Sequence, residues 1–204
     1  MKKFTILTLV AVILLGMTSC NALSGKPATE KWIAPNNTVS AWFRADWTGD
    51  TAPGMLDIYD TTSLHIGKTA DGADIFALLR VPLSGTWLAG EIKGARLFLK
   101  IREGAVPSEL RVGFASEPWS FADTTLAQAE RFCDPSGLES VSVRSEADGW
   151  ISLEVTKFVK AWLNCDMPNY GFSLFSDKPG EELVIEAADW EEENPRFPYL
   201  EVSG

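Results

Sequence analysis

From residue 39 to residue 202, glycine, proline and aspartate interrupt the chain roughly every eight to fifteen residues, and the runs between them are short and rich in β-branched and aromatic side chains. Such punctuation leaves no room for long helices and points to an antiparallel sandwich or barrel. Strands are predicted over 39–47, 63–66, 75–82, 95–102, 109–115, 140–144, 150–155, 170–176, 183–188 and 198–202. Several alternate with a period of two, the spacing at which side chains reach the same face of a strand. Over 95–102, Leu97, Leu99 and Ile101 point one way, while Arg96, Phe98, Lys100 and Arg102 point the other. Over 109–115, Leu110, Val112 and Phe114 oppose Glu109, Arg111 and Gly113. Each such strand has one dry face, so the expected fold is all-β, an antiparallel β-sandwich with one or two short helices. Thr156 is predicted to cap a helix over 157–163, where Phe158, Val159, Trp162 and Leu163 fall on one side. Asp123 is predicted to cap another over 124–131.

With 204 residues, 46% of them hydrophobic and 23% charged, the chain fits one globular domain, or two very small ones at most, and argues against wholesale disorder. The net charge of −10 argues against nucleic acid as a partner, since phosphate neutralisation needs clustered cations. Eight tryptophans stand against one histidine, His65. A lone histidine excludes multi-histidine metal sites and leaves a serine-histidine-acid triad with a single base. The composition favours binding over catalysis, and no enzyme activity is expected.

Residues 1–19 read as a targeting segment. Met1-Lys2-Lys3 precedes an apolar run from Phe4 to Gly16 broken only by Thr5 and Thr8. That run is too short for a transmembrane helix, which needs about 20 residues. Met17-Thr18-Ser19-Cys20 resembles a bacterial lipobox, with Met17 where leucine is usual. Lipidation of Cys20 would hold an exported protein at the outer face of a membrane through its N-terminal acyl chains. Cleavage before Cys20 removes Lys2 and Lys3 and no acid, so the mature chain is more acidic still. Residues 20–36 read as a tether and 37–204 as the domain. The remaining cysteines, Cys133 and Cys165, are a candidate disulfide, which exported proteins favour and which would add about 3 kcal/mol of stability.

The order of motifs along the domain resembles the DNRLRE domain family. Ser63-Leu64-His65-Ile66-Gly67, Ala77-Leu78-Leu79-Arg80-Val81-Pro82-Leu83 and Ile92-Lys93-Gly94-Ala95-Arg96-Leu97-Phe98-Leu99 are similar to its opening strands. Trp119 with Asp123-Thr124-Thr125, the block from Trp150 to Trp162, Asn169-Tyr170-Gly171-Phe172-Ser173-Leu174 and the close from Asn194 to Val202 follow in the family's order. The departures are Glu154 where aspartate is usual, Val81 and Pro82 where phenylalanine and aspartate are usual, and Leu126 where a tryptophan often follows the threonine pair. The resemblance implies a jelly-roll sandwich like that of carbohydrate-binding modules on exported bacterial and archaeal proteins. It also implies sugar as a ligand, including the uronate polymer alginate.

Tryptophan serves sugar binding because a pyranose ring stacks its apolar face on a flat indole while its hydroxyls need polar partners. Trp119, Trp150 and Trp162 lie in the family's recurring blocks and read as structural. Trp87 follows the turn-like Ser84-Gly85-Thr86, and Trp190 sits among acids; both are candidate binding residues. Trp42 and Trp47 differ by an odd spacing, so in one strand they face opposite sides and one of them is a candidate. Arg96, Lys100 and Arg102 share a strand face, and Arg111 joins them if 103–108 forms a hairpin. Such a patch would suit an anionic polysaccharide, although a solvated strand face reads the same way. Loop aspartates Asp57, Asp60, Asp71 and Asp74 are candidate ligands for a structural calcium, without EF-hand spacing; no other cofactor is expected. Glu191-Glu192-Glu193 reads as a surface charge run rather than glycosidase carboxylates. The expected role is a lipid-anchored surface module binding polysaccharide or cell-wall glycan. The alternative is a structural or adhesive domain that binds protein or cell wall without a sugar site.

Overall fold

The computed structural model describes residues 28–33, 40–44, 63–83, 85, 87–119, 128, 131, 135–187 and 197–204. Eleven strands run through them: β1 (Thr29–Ile33), β2 (Ser40–Arg44), β3 (Ser63–Lys68), β4 (Asp74–Leu79), β5 (Gly94–Glu103), β6 (Glu109–Phe114), β7 (Glu139–Ser145), β8 (Trp150–Glu154), β9 (Phe172–Phe175), β10 (Glu182–Glu186) and β11 (Tyr199–Ser203). Every pairing is antiparallel, so the all-β expectation holds. Each predicted strand meets one of β2 to β11, and β1 was not anticipated.

The sheet closes on itself where two separate layers were expected. Following the ladders, β5, β10, β3, β4, β9, β6, β7 and β8 form a ring, because β8 pairs back onto β5. The long strand β5 makes this closure. One edge, from Arg96 to Lys100, pairs with β8. Its other edge is divided, Gly94 to Phe98 meeting β11 and Lys100 to Glu103 meeting β10 across a register shift at Val184/Ile185. An irregularity of that kind lets one strand turn a barrel corner.

The period-two pattern fills the barrel. Leu97 and Leu99 of β5, Val112 of β6, Leu153 of β8, Leu174 of β9 and Ile185 of β10 have no exposed surface. Each such side chain contributes about 1.5–3 kcal/mol relative to exposure. One end is plugged by helix α1 (Thr156–Leu163), whose Phe158, Val159 and Trp162 are buried. Phe158 meets Phe114 edge-on at 4.9 Å and Trp162 meets Phe172 at 4.7 Å. The N-cap is Val155, not Thr156 as expected. The Thr156 hydroxyl is otherwise engaged: it accepts the Ala95 N–H at 2.7 Å and donates to the Glu154 carboxylate, tying the first turn to β5. Of the second predicted helix, Gln128 and Arg131 are helical and the rest lies outside the described residues.

Strand β1 lies within the stretch read as a tether. It pairs along β11 from Thr29↔Ser203 to Ile33↔Tyr199 and sends Trp32, 4% exposed, into the core. The folded domain therefore begins no later than Thr29.

Candidate functional site: an aromatic and charged outer face

With Leu97 and Leu99 turned inward, the pleat of β5 places Arg96, Phe98 and Lys100 on the outside of the barrel. Register then decides their neighbours. Tyr199 lies opposite Phe98 and Glu201 opposite Arg96 on β11, and Lys31 of β1 lies opposite Glu201. On the other side, Trp150 lies opposite Lys100, Ser152 opposite Phe98, and Glu154 opposite Arg96. Residues from four strands that are distant in sequence thus form one outer face.

Its centre is aromatic. The rings of Phe98 and Tyr199 stack with centroids 4.7 Å apart and planes 4° from parallel. Trp150 meets Tyr199 at 5.3 Å and 63°. Lys31 Nζ lies 4.5 Å from the Tyr199 centroid and Arg96 Cζ 5.0 Å from that of Phe98, contacts worth about 0.5–1 kcal/mol each at such exposure. Phe98 is buried, whereas Tyr199 and Trp150 are half-buried and reach solvent. Burial pushes the Tyr199 phenol above its ordinary pKa, and the Glu201 carboxylate pushes the same way against an opposing pull from Arg96.

Around the aromatics the charges are paired. Arg96 donates to Glu201 at 2.7 Å and lies 3.6 Å from Glu146. Glu146 also accepts from the Ser152 hydroxyl at 2.7 Å and lies 3.4 Å from Arg144. Lys100 donates to the Asp148 carbonyl and stands opposite Glu186 of β10.

Among the predicted binding residues, the structure brings Arg96 and Lys100 onto this face, and Arg102 is exposed further along the same strand. Arg111 does not join them. β5 and β6 do not pair, because β6 lies between β7 and β9, so the 103–108 connection crosses the barrel instead of forming a hairpin. Arg111 lines a shallow depression with Glu109, Ser140 and Asp177, its Nε 3.9 Å from the Asp177 carboxylate. Trp87 is also corrected: it is 4% exposed and its indole N–H donates to Glu30, so it presents no face to a ligand. Unanticipated β1 covers it. Trp119 and Trp162 are core residues, as their motif positions led one to expect, and the Trp119 N–H donates to the Tyr170 carbonyl at 2.6 Å. Trp150, grouped with them, points outward instead.

Trp42 occupies β2 opposite Ala77, with its side chain outside the described residues. Trp47, Trp190, Cys20, Cys133, Asp57, Asp60 and the Glu191–Glu193 run also lie outside them. Cys165 is exposed and carries a free thiol. Asp74 is held by Lys68, and among the described residues no group of three or more histidine, cysteine or acidic side chains is placed to hold a metal ion.

His65 lies on the outside of β3. Its Nδ1 is hydrogen-bonded to the Glu182 carboxylate, and its Nε2 lies 3.1 Å from the Ser63 hydroxyl. The order of groups is that of an acyl-transfer triad. Ser63 is 7% exposed and stands in the ladder opposite Glu186. Elsewhere an ion pair links Glu117 and Arg131; the hydrogen bond holds the glutamate below the usual carboxylate range and raises the arginine.

No family model matches this chain, and no curated protein matches it.

Proposed function

We propose that this chain is a non-catalytic, extracytoplasmic module that binds polysaccharide on the outer face of β1, β11, β5 and β8, anchored to a bacterial membrane through acylated Cys20. The observation that carries the reading is the meeting of half-buried Trp150 and Tyr199 with Lys31, Arg96 and Glu201 on one solvent-facing surface. An indole offers an apolar plane to a sugar ring, and neighbouring charged groups donate to and accept from its hydroxyls. The resemblance to the DNRLRE family supports the same reading, since it implies sugar as a ligand. A jelly-roll relationship to carbohydrate-binding modules is part of the proposal. The peptide from Cys20 to Thr29 spans at most about 30 Å when extended, so the anchored domain would sit close to the membrane.

The test is affinity electrophoresis of the detergent-extracted chain through gels containing soluble polysaccharides, with Trp150→Ala beside it. At least one polymer is expected to retard the wild type, and the variant is expected to lose about tenfold or more in affinity while keeping its circular dichroism spectrum. A folded wild type retarded by no polymer would overturn the reading and favour a protein-binding or adhesive domain.

A further inference from the structure

The charges on this outer face already answer one another, and that bears on which polysaccharide can bind. Resting on the polysaccharide reading, we infer that the face takes neutral glycans in preference to uronate polymers. The Arg96 guanidinium is the group best shaped to clamp a carboxylate, but Glu201 occupies it at 2.7 Å and Glu146 stands 3.6 Å away. Arg144 is turned to Glu146 at 3.4 Å, and Lys100 is engaged by the Asp148 carbonyl with Glu186 opposite it. Lys31 lies over the Tyr199 ring, with Glu201 directly across the ladder. A uronate carboxylate reaching Arg96 must displace a fixed acid or sit beside it as a like charge, and either is unfavourable.

A neutral sugar meets no such conflict. Paired acid and base side by side present an acceptor and a donor at the spacing of adjacent hydroxyls, so Glu201 can accept from one hydroxyl while Arg96 donates to the next. The ring stacks on Trp150 at the edge of the cluster. The same arrangement makes recognition insensitive to salt, because no net charge is neutralised on binding.

The experiment uses the intact detergent-extracted chain against xylan, glucomannan and laminarin as neutral probes and pectate and alginate as uronate probes. Affinity is read between about 0.01 and 1 M ionic strength, over which the screening length falls from roughly 30 Å to 3 Å. A neutral polymer is expected to bind at least about tenfold more tightly than either uronate, with little change across the salt series. Glu201→Gln, checked for folding by circular dichroism, is expected to raise uronate affinity by releasing Arg96 and to lower neutral-polymer affinity by removing an acceptor. Preferential, salt-sensitive retention by pectate or alginate in the wild type would overturn the inference and leave polysaccharide binding standing. Retention by none of the five would overturn both.

Discussion

Phe98 and Tyr199 stack face to face across the β5–β11 ladder, 4.7 Å apart and 4° from parallel, although 101 positions of sequence separate them. Stacking desolvates the Tyr199 phenol, and Glu201 beside it opposes a second negative charge, so ionisation is shifted to higher pH. The folded value lies above the unfolded value near 10. The resulting stability is complete below the unfolded value and is lost as pH rises through the folded one. Ultraviolet titration should therefore contain a phenolate phase above the ordinary range, absent in Tyr199→Phe. Glu201→Gln should move that phase downward. Wild type should also lose stability relative to Tyr199→Phe across the same alkaline window.

Trp87 and Trp150 are expected to answer oppositely to truncation. Trp87 is 4% exposed and its indole N–H donates to Glu30, so removing it leaves a cavity under β1 and deletes that hydrogen bond. Trp87→Ala should cost about 3–5 kcal/mol, lowering Tm by roughly 10 °C, while the variant that remains folded binds glycan as before. Trp150→Ala removes an outer edge-on contact with Tyr199 and should cost only about 1 kcal/mol, yet abolish retention. Paired melting curves and affinity gels separate the two. Loss of binding in both variants to the same degree would mean that neither acts through the outer face.

The difference between these tryptophans marks how far the sequence could be read. Strands β2 to β11 were legible because each is a short β-rich run bounded by turn residues, several with their own alternation, all of them local properties. The strand order was not, because nothing local in Leu97 and Leu99 says that one edge of β5 meets β8 while the other is shared by β11 and β10. The composition of the outer face follows the same limit. Alternation alone puts Arg96 and Lys100 on one face of β5, but whether Arg111 joins them depends on a 103–108 hairpin that the strand order excludes, and that Tyr199 faces Phe98 is a matter of register across the β5–β11 ladder. One usable signal went unread. In Thr29-Glu30-Lys31-Trp32-Ile33, β-branched and aromatic residues flank charged ones as in a strand, and the neighbouring Gly, Ser and Pro drew the segment into the tether. Trp87 looked exposed for want of β1.

Cys165 is exposed, with a free thiol, at the turn that follows α1. It should react with iodoacetamide in the native state without denaturant, adding a carbamidomethyl group located at Cys165 by peptide mapping. Cys165→Ala should melt close to the wild type, within about 0.5 kcal/mol, as expected of a surface change that breaks no bridge. Protection of Cys165 until reductant is added would instead reveal a disulfide.

Gly67 and Gly104 grip the start of β10 from two sides, and neither tolerates a side chain. Gly67 has φ +139°, and a Cβ there would lie 2.2 Å from the Glu181 carbonyl oxygen. Gly104 has φ +98°, and its Cβ would lie 2.3 Å from the Glu182 carbonyl oxygen. These obstacles are backbone atoms of β10 and of the residue just before it, so relief requires moving β10 away from β3 and β5. Gly67→Ala adds an unfavourable backbone conformation, about 1–3 kcal/mol, to overpacking of similar size, and should lose roughly 3 kcal/mol or more in urea unfolding. Gly90→Ala, where a Cβ meets nothing within 4 Å, is the control and should stay within about 0.5 kcal/mol of wild type. Displacing β10 would also draw Glu182 from His65, so the imidazole resonances should shift in Gly67→Ala and not in Gly90→Ala. An unchanged urea midpoint in Gly67→Ala would show that β3 and β10 do not approach this closely.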